Sequence, residues 1–144
     1  MRLVEKHVVR KSSRAGKEID ELAFKSKNLY NRANYEIRQH FFKTNQILNY
    51  NSMASRLKTE ESYCALPRKV SQQVLRCLDR NWKGWKEANK AYQKNPLLFK
   101  GKPKLPKYKD KEKGRNLLVY TIQAISLKEL KKGWIKPSGT NLMI

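Results

Sequence analysis

The chemistry open to this sequence is limited first by its carboxylates. The three aspartates, Asp20, Asp79 and Asp110, are far apart in the chain and stand beside basic residues or on expected helix faces. The adjacent acidic pairs at 20–21 and 60–61 diverge on a helix and are expected to be solvated. Metal-dependent cleavage of nucleic acid needs several carboxylates converging on ions about 4 Å apart. The sequence therefore predicts no catalytic carboxylate site.

The other reactive residue types also lack partners. His7 and His40 show neither HxxxH nor HExxH spacing, and no serine or cysteine has a His or Lys motif that would activate it. Cys64 and Cys77 have no neighbouring metal ligand, so we expect buried free thiols. The glycines and lysines do not match the GxxxxGK[ST] spacing of a phosphate loop. We therefore expect no catalytic residue, no metal and no cofactor in these residues.

The charge is the strongest signal for a partner. The 144 residues carry 33 Lys and Arg against 12 Asp and Glu, a net charge of +21. Such a surplus repels itself unless a polyanion neutralises it, and nucleic acid is the natural polyanion. No apolar run has the length of a signal peptide or of a membrane span of about 20 residues. We expect a soluble cytoplasmic protein with no membrane partner and no small-molecule substrate.

Cations and aromatic residues are interleaved between residues 68 and 94, where the pattern predicts a helix. This combination can both follow phosphates and stack on bases. The residues concerned are Arg68, Lys69, Arg76, Arg80, Lys83, Lys86 and Lys90 with Trp82, Trp85 and Tyr92. The alternative is a helix whose tryptophans lie in the core and whose basic face is solvated.

Three polar residues in this part of the chain are candidate base contacts. The amide of Gln72 or Gln73 can pair with an adenine edge, especially beside Arg68, although most helical glutamines contact only water. Tyr50 could stack on a base or merely close its loop.

A second basic segment, "GKPKLPKYKDKEKGR" at residues 101–115, has a cation at every second position from Lys107 onward. A period of two places side chains on one edge of an extended chain. The segment is either a solvated linker or a row of cations that follows a phosphate backbone. Its candidate phosphate contacts are Lys102, Lys104, Lys107 and Lys109, and its "KDKEKG" part is expected to be a mobile turn.

The elements that must position these residues are helices in the middle of the chain. Apolar residues at three- and four-residue spacing predict a helix from Lys17 to Lys43. A short helix, "MASRLKTEESY", is expected to be capped by Ser52. A third helix should run from Pro67 to Pro96. Together they predict an antiparallel helical bundle.

Strand-like segments flank these helices, at residues 2–10, 117–127 and 134–135. The predicted fold class is therefore α+β, an antiparallel helical bundle inserted after the first strand of a small, incomplete β-barrel. The predicted domains are a first barrel strand at 1–12, a helical recognition domain at 13–96 and the remaining strands at 97–144. Three strands are marginal alone, so further strands are expected beyond Ile144.

An ordered set of motifs resembles the N-terminal half of TnpB (OrfB), a transposition protein of bacterial insertion sequences. The resemblance covers nearly the whole chain, through the segments "LAFKSKNLYNRANYEIRQHFF", "LNYNSMASRLK", "LPRKVSQQVLRCLDRNWKGWKEA", "GKPKLPKYK" and "YTIQAISL...GWIKPS". It implies a wedge β-barrel interrupted by a helical recognition domain. TnpB proteins are RNA-guided DNA endonucleases, so it also implies a guide RNA and a target DNA as partners.

The resemblance also implies roles for single residues. Readers of a motif flanking the target DNA would be Tyr50, Arg68, Gln72 and Thr121, and the lysines of "GKPKLPKYK" would lie along nucleic-acid backbone. The family's RuvC-type nuclease domain and its paired CxxC zinc element are absent from these residues. We therefore expect no cleavage by this polypeptide alone, which could be a gene remnant, a truncated open reading frame or a cut piece.

Two alternatives remain open. Full endonuclease activity would need a separate chain that supplies the missing domain. In the other, the protein binds DNA without a guide, as a transposon-derived repressor or a cationic scaffold.

Overall fold

The structure, a computed structural model, describes residues 2–144, and within them the chain forms helices and turns but no strand. The helices are α1 (Arg14–Thr44), α2 (Tyr50–Leu57), α3 (Glu61–Cys64), α4 (Arg68–Lys94) and α5 (Leu127–Leu130), with 3-10 turns at Pro96–Leu98 and Ile122–Ala124. The predicted α+β fold with a β-barrel is therefore wrong. None of these helices is long and apolar enough to cross a membrane.

The local sequence explains where α1 begins and ends. The Ser13 hydroxyl accepts a hydrogen bond from the Gly16 amide at 3.0 Å, which satisfies one of the free amides of the first turn. Asn45 ends the helix in the left-handed conformation, with φ of 55°, and its amide donates to the Phe41 carbonyl. The helix predicted for residues 17–43 is confirmed, and it begins three residues earlier than expected.

The return from α1 consists of two short helices rather than one. Asn49, and not Ser52, caps α2, because its side chain accepts from the Ser52 amide at 2.9 Å. The chain then turns into α3 and reaches Pro67, which stands just before α4. The third predicted helix is confirmed, and it ends at Lys94, two residues before Pro96.

The two long helices run in the same direction. Tyr30 of α1 contacts Asn81 of α4, and further along α1 Phe41 contacts Trp85, so the contacts ascend together along both helices. Only the leg through α2 and α3 returns against α1, as shown by Arg56 pairing with Glu36 and Glu60 pairing with Arg32. In this bundle the antiparallel neighbour of each long helix is therefore the short leg and not the other long helix.

One apolar core lies between these helices. Side chains from α1, α2 and α4 meet there and are almost fully buried. The largest are Leu29, Ile37, Met53, Leu57, Leu75, Leu78 and Trp82. The stripe that predicted α4 is the one that faces this core, as expected for an amphipathic helix. Leu105, Leu118 and Tyr120, from beyond the helices, pack against its edge.

The first predicted strand, residues 2–10, has no regular secondary structure and joins no strand in the described chain. Val4 is 93% exposed and Leu3 is 84% exposed. The β-branched residues there predicted a strand, but strand propensity reflects packing against a neighbouring strand and not the backbone alone. Without a neighbouring strand to pair with, this segment forms no sheet.

The predicted C-terminal strands are also absent. Residues 122–124 form a 3-10 turn, and residues 125 and 137 form a single antiparallel bridge. The amides of Ile135 and Ile144 each donate to the other's carbonyl, at 2.7 and 3.0 Å. Pro137 has no amide proton to extend a ladder, and Gly133 and Gly139 turn the chain at positive φ. The result is a set of short turns, not a barrel wall.

Candidate nucleic-acid interface

A non-helical segment lies along α1 and forms one side of the candidate interface. We call residues 103–117 the strap. Side chains near the end of α1 contact its first residues and side chains near the start of α1 contact its last, so the strap runs antiparallel to α1. It is therefore neither a free linker nor the entry to a β-barrel.

Two asparagines and an arginine of α1 hold the upper part of the strap. Asn31 pairs with the backbone of Lys109 in both directions, donating to its carbonyl and accepting from its amide, each at 2.9 Å. Asn34 and Arg38 both donate to the Pro106 carbonyl, at 3.0 and 2.8 Å. These bonds pair backbone amides and carbonyls of the strap, which in a sheet would pair with a neighbouring strand.

The lower part of the strap is fixed by a bidentate ion pair. Arg115 donates to both carboxylate oxygens of Asp20 at 2.9 Å, and this guanidinium lowers the pKa of Asp20 below its ordinary value. Asn116 follows, with its amide donating to the Ala23 carbonyl and its side chain donating to the Ser26 hydroxyl.

A buried lysine lies between these two anchors. Lys27 donates to the Lys111 carbonyl, and its ammonium lies 3.8 Å from the centre of the Phe24 ring. Burial lowers the pKa of Lys27, because its ammonium loses water. Polar side chains of α1 therefore hold the strap from Pro106 to Asn116.

This anchoring breaks the predicted row of alternating cations. Lys109 lies with its ammonium 5.0 Å from the centre of the Tyr30 ring, and Arg115 is bound to Asp20. The side chain of Asp110 accepts from the amides of residues 112 and 113, and these backbone hydrogen bonds lower its pKa and form a turn. The exposed cations without a carboxylate partner that remain among the predicted contacts of this segment are Lys102, Lys104 and Lys107.

A second group of predicted residues meets where α4 begins. The Arg76 guanidinium lies 4.2 Å from the centre of the half-buried Tyr50 ring. Burial raises the pKa of Tyr63, and a hydrogen bond from Gln72 and the nearby charge of Arg68 oppose that rise. Three of the predicted residues, Tyr50, Arg68 and Gln72, therefore lie near Tyr63, and Arg76 lies over Tyr50. We call these five residues the α4 cluster.

The remaining predicted residues lie outside this cluster. Gln73 lines a cavity of about 470 Å³ between α4 and the end of the strap. Lys83 pairs with Asp79 at 2.8 Å on its own helix. Thr121 precedes the 3-10 turn at Ile122–Ala124, and that turn packs against α4. The structure thus places Gln73 and Lys83 on other faces of α4.

The tryptophans of α4 belong mainly to the core, as the alternative interpretation held. Trp82 is fully buried and its indole donates to the Asn34 side chain at 2.9 Å. Trp85 is half-buried, meets Phe41 edge-to-face and donates to the Pro103 carbonyl at 3.3 Å. The expectation of buried thiols is wrong for Cys64, which is exposed at the end of α3, and Cys77 is only half-buried.

Sequence reasoning missed the residues that position the strap. Asn31 and Asn34 stand three residues apart on α1, next to its apolar stripe. Asparagine is a poor residue for a helix interior unless its amide has a specific partner. Two asparagines at this spacing beside an apolar stripe are therefore the sequence signal for such a contact. Among residues 2–144, no group of three His, Cys, Asp or Glu side chains could hold a metal ion.

Comparisons with protein-family models, with curated proteins and with solved structures find no match to this chain.

Proposed function

We propose that this chain is a nucleic-acid-binding module of the cytoplasm that contributes guide-RNA and target-DNA binding to an RNA-guided system of the TnpB type. Cleavage is not part of the proposal for these residues. The proposal rests on the motifs that resemble TnpB and on the arrangement of cations around α4 and the strap. The β-barrel that the resemblance implied does not form, so the proposal concerns binding by the helices and the strap.

The observation that carries it is a set of exposed cations on an ordered backbone with no carboxylate partner. Arg68, Arg76, Lys102, Lys104 and Lys107 make no ion pair within the described residues. Surface cations on a fold that needs no further charge are repulsive until a polyanion binds. Because the strap is fixed to α1, Lys104 and Lys107 keep their spacing when phosphates approach, which lowers the ordering cost of binding.

The α4 cluster adds a means of contacting bases. Arg76 covers one face of Tyr50, and an arginine and an aromatic ring stacked together can extend a stack onto a base. Gln72 lies beside them with an amide that can pair with an adenine edge. Phosphate contacts position a nucleic acid and base contacts select it, and this face offers both residue types.

The test measures binding to a structured RNA and to a DNA duplex as salt rises from about 50 to about 200 mM. Wild-type affinity should fall on a log–log plot by about 0.7 to 0.9 per phosphate contacted. Replacing Lys102, Lys104 and Lys107 with Gln should weaken binding and reduce that slope. The matched control replaces three exposed lysines outside this face, Lys6, Lys128 and Lys131, and loses the same charge.

The outcomes separate the competing functions. An equal effect of the two triple variants would show that only net charge matters and would overturn the role of the strap. Binding to duplex DNA that a structured RNA neither supports nor changes would instead favour a guide-independent DNA-binding protein. No binding at about 50 mM salt would overturn the proposal.

A further inference from the structure

A groove runs between the exposed side of α4 and the first half of the strap, with a volume of about 650 Å³. That volume lies within the roughly 300 to 1,000 Å³ typical of sites for small organic groups. Arg80, Gly84 and Ala88, at successive four-residue steps of α4, form one wall, and Lys104, Lys107 and Tyr108 lie on the other. None of the residues that line it carries a carboxylate.

Gly84 is the unusual residue of this wall. It stands in the interior of a 27-residue helix, where glycine destabilises the helix relative to alanine. A Cβ atom built on Gly84 would meet no other atom within 4 Å, so no neighbour in the fold requires glycine there. The missing side chain leaves the helix backbone open to the groove. A flat group that approaches this backbone closely would explain why residue 84 carries no side chain.

The opposite wall offers an aromatic surface of which one face is already covered. Tyr108 is 44% exposed, and the Arg38 guanidinium lies 4.7 Å from its ring centre. Tyrosine stacks on any base, and the arginine behind it strengthens that stacking. The Asn81 amide, which also lines the groove, donates to the Tyr30 hydroxyl at 3.4 Å and keeps its other polar atoms for a ligand.

We propose that this groove holds one unpaired nucleotide of a single-stranded nucleic acid, with its base between Gly84 and Tyr108 and its flanking phosphates at Arg80 and Lys104. A paired base would bring its partner strand against α4 or the strap, so we expect the groove to favour an unpaired base. The inference rests on the proposed nucleic-acid binding and adds a preference for unpaired strands. The positive lining selects a phosphate-bearing ligand over a neutral aromatic one.

The experiment compares Gly84→Ala with wild type on single-stranded RNA and DNA of about 12 nucleotides, within the range of sites for single strands, and on a duplex of the same sequence. The added methyl group fills the space above the helix backbone and also favours the helix. We therefore expect an unchanged or higher melting temperature together with single-strand affinity lower by about fivefold or more. Duplex affinity should stay within about twofold of wild type, which corresponds to about 0.4 kcal/mol.

The matched control is Gly101→Ala, because Gly101 also has open space at its Cβ position but lies outside the groove. Tyr108→Leu provides a second variant, which should lower single-strand affinity in the same direction. A larger loss with RNA than with DNA would indicate a contact to the 2′-hydroxyl, and equal losses a contact to base and phosphate alone. Either result supports the groove.

The two proposals fail in different ways. If wild type binds single strands and Gly84→Ala and Tyr108→Leu bind them equally well, the groove is not the site, while nucleic-acid binding stands. If Gly84→Ala weakens duplex and single strand alike, the preference for unpaired strands is overturned. If wild type binds no nucleic acid at low salt, both proposals are overturned.

Discussion

Asn34 joins three parts of the molecule through one side chain. Its amide nitrogen donates to the Pro106 carbonyl at 3.0 Å, and its amide oxygen accepts from the Trp82 indole at 2.9 Å. The side chain is fully buried, so no water replaces either bond. Among side chains of this length only an amide is both donor and acceptor on one planar group. A polar side chain, that of Asn34, therefore joins α1 to both α4 and the strap.

We expect Asn34→Leu to lower the free energy of unfolding by about 1 to 3 kcal/mol, the cost of one buried donor without a partner. Trp82 loses its only acceptor, whereas the Pro106 carbonyl keeps the bond from Arg38. Urea denaturation followed by tryptophan fluorescence measures this change. As a control, Asn28→Ala on the exposed side of α1 should shift stability by less than about 0.5 kcal/mol. Equal effects of both variants would contradict the role of Asn34.

At the scale of elements, the sequence predicted the helices well and the remaining segments poorly. The apolar stripes of α1 and α4 are local in the chain, and the side chains that form them, such as Leu29 and Leu78, do lie in the core. The direction of α4 depends on the path through α2 and α3, which periodicity does not encode. Strand character at residues 2–10 depends on a neighbouring strand that the described chain does not provide.

The strap also shows that local sequence patterns do not predict contacts between distant segments. Its ordering comes from side chains of α1 about 70 to 95 positions earlier in the sequence, such as Asn31 and Asp20. No local pattern of Gly, Pro and Lys distinguishes a free linker from a segment held in this way. In the α4 cluster, Tyr50, Arg68 and Gln72 were predicted from their residue types and from the resemblance, and Arg76 from the interleaving of cations with aromatic residues. Gly84 and Tyr108 were not predicted as a site, because they come together only when the strap lies against α4.

The lower end of the strap is expected to loosen in acid. Pairing with Arg115 lowers the pKa of Asp20 below its usual 3.8 or so, so the ion pair stabilises the fold above that value. Its contribution is lost as the pH falls through the lowered pKa of the folded state. The pKa of Asp110 is also lowered, so the turn that its carboxylate holds should open over the same fall in pH. The anchor should therefore hold above about pH 4 and be lost below it, as the pH falls through the lowered pKa of Asp20.

NMR of the Arg115 side-chain Nε–H group measures this release directly. Its resonance should move toward that of a free arginine as the pH falls from about 5 to about 2. The Asp20→Asn variant is the matched control, because it has no carboxylate to titrate and its resonance should already be near the free position at every pH. A wild-type resonance that stays constant over this range would show that Asp20 does not hold the strap.

At the scale of the whole molecule, charge is poorly balanced within the chain. Seven of the lysines and arginines of residues 2–144 form an ion pair with a carboxylate within 4.0 Å. Most of these pairs are on the surface, where each contributes little to stability. The remaining cations repel one another in a net charge of +21. The same field that would attract phosphates therefore opposes the compact state of the free protein.

Salt should for this reason act on folding and on nucleic-acid binding in opposite directions. Raising sodium chloride from about 50 to about 500 mM shortens the screening length from roughly 14 to roughly 4 Å and weakens the repulsion among surface cations. We expect the melting temperature of the free protein, followed by circular dichroism, to rise over this range, while its affinity for nucleic acid falls. The variant that replaces Lys6, Lys128 and Lys131 with Gln should show a smaller rise, because part of the repulsion is already removed. A melting temperature that falls with added salt would mean that the ion pairs outweigh the repulsion, and the surplus charge would then carry no cost that a polyanion relieves.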